Sequence, residues 1–156
     1  MSILKLTGQT NASHAAQIKG VRAMIPWAIA VTSAAFLAFI VGALWYGALF
    51  GTTAAAISPA YANAAPSSTT IVFELLRCVV LALALAFLVN RTGVNTFGSA
   101  VLLGLVVWAG FQAAGLAGAV VHEGYPFRLY LIHTGDALMK AIVASVTIFL
   151  AHRWLA

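Results

Sequence analysis

Long apolar stretches, separated by short polar connections, occupy most of this chain. No Asp, Glu, Lys or Arg occurs from Ala23 to Phe73 or from Thr92 to His122. A helix needs about 20 apolar residues to cross the core of a bilayer. Four segments are long enough, and they predict transmembrane helices over about 24–50, 71–90, 97–121 and 129–154.

The predicted fold class is all-α, an integral membrane four-helix bundle. Helices are expected because hydrocarbon offers no hydrogen-bond partner to an open strand edge. The chain also lacks the short alternating segments of a membrane β-barrel. Residues 1–23 are more polar, and we expect them to form a cytoplasmic segment ahead of a transmembrane domain over 24–156.

Composition supports a lipid bilayer as the main partner. Of the 156 residues, 63% are hydrophobic and only 7% are charged, whereas soluble domains carry about 25% charged residues. The net charge of +5 does not indicate nucleic acid, because the basic residues are scattered rather than clustered. The single cysteine, Cys78, excludes an intrachain disulfide and a CxxC metal site, and we expect it to pack in the core.

The basic residues predict the orientation in the membrane. Lys5, Lys19 and Arg22 precede the first span, Arg91 lies between the second and third spans, and Arg153 ends the fourth. In a four-span arrangement all of them lie on one side, and basic residues in short loops mark the cytoplasmic side. Both chain ends are therefore predicted to be cytoplasmic.

A cleavable secretory signal is an alternative interpretation of the N-terminal region. Lys19 and Arg22 precede an apolar stretch, and the small residues of 60–64 resemble a cleavage site. The apolar stretch is much longer than the roughly 7–15 residues of a signal's apolar region. We therefore favour a retained first span.

Charged side chains inside the spans carry the most information, because burying charge in hydrocarbon is costly. On the fourth helix, His133, Asp136, Lys140 and Thr147 fall within a stripe about 60° wide at 100° per residue. Such a stripe is expected to face other helices or a water-filled cavity. Arg77 lies on the second helix at a predicted depth similar to that of Asp136, and Glu74 precedes it by one turn, nearer the outer surface.

The four spans together predict one polar site in the outer half of the membrane. We expect Asp136 to pair with Arg77 or Lys140, and Glu74 to pair with Arg77. On the third helix, Trp108, Gln112 and His122 are predicted to share one face. The candidate ligand-binding or structural residues are Glu74, Arg77, Gln112, His122, His133, Asp136 and Lys140, with an aromatic pocket of Trp45, Tyr46 and Trp108.

The chemistry of this site remains open between two interpretations. A paired cluster can hold helices in register, or it can line an outward-facing pocket that binds a polar ligand or passes protons. No metal is predicted, because His122, Glu123, His133 and Asp136 lack the helical spacing of an HxxxH or HExxH pair. No other cofactor and no catalytic residue is predicted either, since no serine nucleophile with a positioned base is visible.

Three motifs carry a resemblance to a known family: WYGALFG at 45–51, GLVVWAGF at 104–111 and EGYPFRLYLI at 123–132. With these motifs the chain resembles the bacterial family called domain of unknown function 1761 (DUF1761). The resemblance runs from the first helix onward, with 1–23 outside it. It implies a small, four-span protein of the bacterial cytoplasmic (inner) membrane, without a known reaction. Family members typically follow Trp-Tyr with Ser-Pro, where this chain has Gly47 and Ala48.

Our first functional hypothesis is a non-enzymatic bundle that acts as a homo-oligomer or as a subunit of a larger membrane complex. Two sets of small residues favour close helix contacts, namely Gly47 with Gly51 and the ridge of Gly110, Ala114 and Gly118. The alternative is a small transporter or channel component with an outward-facing polar pocket. A membrane enzyme acting on a lipid or quinone is a weaker alternative.

Overall fold

Four long helices without a strand make up the part of the chain that the computed structural model describes, residues 25–61 and 66–155. Each helix is long and apolar enough to cross a membrane, which confirms the predicted all-α, four-span membrane fold. The orientation with both ends in the cytoplasm stays a prediction, and segment 1–23 lies outside the described residues. The helices are α1 (Ile25–Ile57), α2 (Ser68–Thr92), α3 (Phe97–His122) and α4 (Phe127–Leu155).

The first helix is longer than predicted. We expected it to end near residue 50, but α1 continues to Ile57. No proline interrupts Gly51–Ile57, and the helix ends where Ser58 adopts an extended backbone with φ −137° and ψ 126°. A residue that precedes a proline is pushed out of the helical region, and Pro59 follows Ser58. A short 3₁₀ turn, Pro59–Tyr61, then leads away from the helix.

Local capping sets the ends of the other helices. The Ser67 side chain accepts a hydrogen bond from the backbone of Thr70 at the start of α2. Thr96 and Ser99 form a reciprocal capping box at the start of α3. Helix α2 ends at Gly93, whose φ of 66° lies in the left-handed region that favours glycine. Arg91, which the sequence placed between the second and third spans, therefore lies in the last turn of α2.

Two helices each contain one wide π turn, Trp45–Phe50 in α1 and Trp108–Ala113 in α3. In such a turn the backbone bonds run from i to i+5. In α1 the turn closes at Gly51, where a Cβ would overlap the carbonyl of Tyr46. A π turn rotates the residues after it away from the regular helical positions. The predicted common face of Trp108 and His122 assumed an uninterrupted helix, and this assumption does not hold.

Helix α4 lies at the centre of the bundle, and small residues let the other helices approach it. Ala34 and Ala38 of α1 and Ala82 of α2 are fully buried with Ala144 and Ile148 of α4. Small side chains at membrane helix contacts allow the backbones to come close together, which increases dispersion contacts. The four buried polar residues of the described chain all lie on α4: Thr134, Asp136, Lys140 and Ser145.

Helices α3 and α4 approach each other closely where Gly104 faces Ser145. The Ser145 hydroxyl donates a hydrogen bond of 2.8 Å to the carbonyl of Ala100. A Cβ on Gly104 would lie 2.8 Å from that hydroxyl oxygen and 2.9 Å from the carbonyl oxygen of Ala141. Only glycine fits between the two backbones, so this contact fixes the register of α3 against α4.

Candidate functional site

A buried ionic cluster of Lys140, Asp136 and Glu74 forms the centre of the predicted site. The Lys140 ammonium donates a 2.7 Å hydrogen bond to Asp136, one turn earlier on α4, and a second to Glu74 of α2. The side chains of Lys140 and Asp136 are each only 4% exposed. The predicted pairing of Asp136 with Lys140 is therefore present. Lys140 also connects two helices through opposite charges.

A glycine of α1, Gly42, packs against this cluster. A Cβ on Gly42 would overlap the Lys140 ammonium, would lie 2.6 Å from its Cε atom and would be 3.5 Å from Oδ1 of Asp136. Gly42 is buried and lies in the middle of α1. The absence of a side chain at this position makes room for the ammonium group. The cluster therefore contacts three helices.

Arg77 occupies the outer edge of the cluster. Its guanidinium donates a 2.9 Å hydrogen bond to Glu74, as predicted, while its side chain is 68% exposed. The other predicted partner, Asp136, forms no ion pair with Arg77; among the described residues its ionic partner is Lys140. Glu74 bridges the two cations, with one carboxylate oxygen accepting from Arg77 and the other from Lys140.

One atom at the centre of the cluster lacks a partner. Oδ1 of Asp136 is buried and accepts no hydrogen bond from the described residues. An unsatisfied buried carboxylate oxygen is costly, because burial removes its hydration without replacing it. This oxygen is therefore the atom of the cluster with the greatest remaining capacity to bind a proton donor.

His133 lies one turn before Asp136, and tyrosine side chains contact both of its ring nitrogens. The Tyr46 hydroxyl is hydrogen-bonded to Nδ1, and the Tyr61 hydroxyl lies 2.9 Å from Nε2. A third tyrosine ring, Tyr125, has its centroid 6.1 Å from that of His133. A neutral imidazole carries one donor and one acceptor nitrogen, so one tyrosine donates to the ring and the other accepts from it. This arrangement ties α1 and its following turn to α4.

Outside the spans, burial raises the pKa values of two of these tyrosines. Desolvation by burial raises the pKa of Tyr61 above its ordinary value, and the same cause raises that of Tyr125. A phenolate in either place would lose hydration relative to the unfolded chain. Both hydroxyls therefore remain protonated to higher pH than a free tyrosine.

Two tryptophans bind the backbone of α4 beside this site. Nε1 of Trp45 donates to the carbonyl of Ile132 over 3.0 Å, and Nε1 of Trp108 donates to that of Thr134 over 2.7 Å. Each tryptophan begins a π turn of its own helix. Gly135 provides the space for Trp45, since a Cβ there would lie 2.7 Å from the indole ring. The predicted aromatic residues thus surround α4.

The remaining candidates occupy more peripheral places. His122 is exposed at the end of α3. Gln112 is half-buried, and its Oε1 atom has no hydrogen-bond partner among the described residues. Thr147 donates back to the carbonyl of Val143 on its own helix. Cys78 is buried, as expected for core packing. Within the described ranges, no group of three His, Cys, Asp or Glu side chains is arranged to hold a metal ion.

Sequence reasoning missed Gly42, Gly135 and Tyr61, which complete the site. Each glycine lies in a span that contains several other small residues, so its residue type alone does not indicate a contact. Tyr61 is the one aromatic residue of the first connection, 58–67, and this was a usable signal. A lone tyrosine in a loop otherwise composed of small residues indicates a specific contact.

Comparison with known proteins identifies a family and no activity. The family model described as "Protein of unknown function (DUF1761)" matches residues 27–149. Neither a curated protein nor a solved structure shows significant similarity to the chain. The matched range includes all three motifs that carried the resemblance at the level of sequence.

Proposed function

The chain belongs to the DUF1761 family, whose function is unknown, and from its site we propose that it is a non-enzymatic membrane bundle. In this proposal it acts as a homo-oligomer or as a subunit of a larger complex in the bacterial cytoplasmic membrane. The single observation that carries the proposal is the pairing of Lys140 with carboxylates on two helices. The buried ammonium is engaged in holding the bundle together.

The ionic cluster suits a structural role because its charges are matched. Glu74 and Asp136 balance Lys140 and Arg77, and Gly42 packs against the ammonium from the third helix. Buried ionic groups that are fully paired can set the register of a small bundle. Apolar packing alone distinguishes poorly between registers in spans made largely of alanine and leucine.

The outer face of α3 supports association with another helix. Gly110 lies within the π turn of α3, and Ala114 and Gly118 follow that turn four residues apart. In the part of the chain that the structure describes, nothing lies within 4 Å of a Cβ placed on Gly110 or Gly118. Ala114 between them is exposed. Ridges of this kind allow close contact between membrane helices. A second copy of the chain is the simplest partner, because a two-fold contact pairs a ridge with itself.

Counting subunits in lipid nanodiscs by native mass spectrometry tests this proposal. We expect more than one copy per assembly in the natural chain, and a shift to single copies in Gly118→Leu, which fills the ridge. Gly98→Leu is the matched control, because Gly98 is also on α3 and also has open space, but lies off the ridge. Single copies of the natural chain, with no other membrane protein bound in a fixed ratio, would overturn the proposal.

A second candidate function is a small transporter or channel component with an outward-facing polar pocket. It is favoured by the buried, unpartnered Oδ1 of Asp136 and by the exposure of the cluster at Arg77. In this candidate function, protons reach the Asp136 carboxylate from the exposed side of the cluster. Proton flux into liposomes containing the natural chain, lost in Asp136→Asn without loss of folding, would establish this function over the structural one.

A further inference from the structure

A cavity lies at the opposite end of the bundle from the ionic cluster. The start of α1, the end of α2, residues 93–95 of the following connection and the end of α4 line an open cavity of about 530 Å³. This volume is within the range of small-molecule sites, roughly 300–1,000 Å³. Among its lining residues are Trp27, Val89, Asn95, Phe149, His152 and Arg153.

The charge around this cavity is positive. All three acidic residues of the chain lie elsewhere: Glu74 and Asp136 in the first halves of α2 and α4, and Glu123 in the connection at the far end. Arg153 lines the cavity, and Arg91 ends α2 beside it. With cations and no carboxylate at this end of the described bundle, the cavity attracts anions.

The lining is divided between polar donors and apolar surface. Arg153, His152 and the amide of Asn95 can donate hydrogen bonds to an anion, and guanidinium groups bind phosphate with two parallel bonds. The indole of Trp27 packs on His152 with ring centroids 4.4 Å apart. Phe149 and Val89 provide a buried apolar floor. A ligand that fits both parts has an anionic head and an apolar body.

We propose that this cavity binds the headgroup of an anionic phospholipid. The phosphate lies against Arg153, His152 and Asn95, while the glycerol and the upper acyl chains contact Trp27 and Phe149. The cavity is at the level of the helix ends, where lipid headgroups are found, and basic pockets between membrane helices are suited to such headgroups. This site is separate from the ionic cluster and does not depend on the function proposed above.

Native mass spectrometry of the full chain in detergent, titrated with short-chain phosphatidylglycerol, tests the proposal. We expect one tightly bound lipid, and a loss of about tenfold in affinity in Arg153→Gln, the size of one charge-assisted hydrogen bond. Arg91→Gln is the matched control: it removes the same charge at the same end, but Arg91 lies over the ring of Phe87, outside the lining. The affinity of Arg91→Gln for phosphatidylglycerol is expected to change less than twofold.

Three results would overturn the proposal. The first is equal affinity for phosphatidylcholine of the same chain length, and the second is an equal loss in both arginine variants, which would indicate diffuse attraction. The third is equally tight binding of inorganic phosphate, which would make the ligand a free anion. If Arg153→Gln melts below the natural chain without lipid, Asn95→Asp replaces it. This change places a carboxylate in the lining and is expected to weaken phosphatidylglycerol binding to a similar degree.

Discussion

Replacing Asp136 by Asn tests the role of the ionic cluster most directly. The side chain keeps its shape and its oxygen acceptor, but the cluster loses one of its two negative charges. Lys140 and Arg77 then share the single carboxylate of Glu74. The summed charge of Glu74, Arg77, Asp136 and Lys140 changes from zero to +1, and the bundle is expected to become less stable.

The magnitude follows from the partners that remain. Removing one partner of a buried ion pair costs about 3–5 kcal/mol when the other charge is left uncompensated. Here Lys140 still contacts Glu74, and the asparagine oxygen still accepts a hydrogen bond from the ammonium. The expected loss is therefore smaller, about 2 kcal/mol in the free energy of unfolding, close to the value of one hydrogen bond to a charged group.

The assay is unfolding of the purified full chain in mild detergent by titration with sodium dodecyl sulfate, followed by tryptophan fluorescence. Glu123→Gln is the matched control, because it also removes one carboxylate but from an exposed position between α3 and α4. Its stability is expected to change by less than about 0.5 kcal/mol. If Asp136→Asn is as stable as this control and assembles normally, the structural role of the cluster is refuted.

Three further substitutions test other parts of the structure. Gly104→Ala is expected to destabilise the chain by about 1–3 kcal/mol, because the new methyl group meets the backbone of α4; Gly115→Ala, on the same helix but in open space, is expected to be neutral or slightly stabilising. Trp108→Phe removes the 2.7 Å hydrogen bond to α4 and is expected to cost about 1 kcal/mol in the same titration. A greater loss of stability in Gly115→Ala than in Gly104→Ala or Trp108→Phe would contradict both arguments. The raised pKa values of Tyr61 and Tyr125 mean that the folded chain binds more protons than the unfolded chain just above pH 10, so stability is expected to fall as pH rises through that region. Tyrosinate absorbance checks this point, and a double Tyr→Phe variant with the same alkaline loss of stability would show that other groups cause it.

The sequence alone determined the number of spans and which residues form the polar stripe of α4. Hydropathy is a property of consecutive residues, so it is readable without knowing which helices are neighbours. The pairing of Asp136 with Lys140 was also predictable, because residues four apart on one helix are adjacent wherever that helix lies. The same holds for Glu74 with Arg77, three residues apart.

Contacts between helices were decided only by the tertiary structure. The choice of Glu74 rather than Arg77 as the link to α4 depends on how α2 is rotated about its axis, and spans rich in alanine and leucine leave that rotation open. The same is true of Gly42 beside Lys140 and of Tyr61 beside His133. The π turns of α1 and α3 then change which residues face inward. Periodicity predicts on which face of its own helix a residue lies. The residues of other helices that it contacts depend on how all four helices pack together.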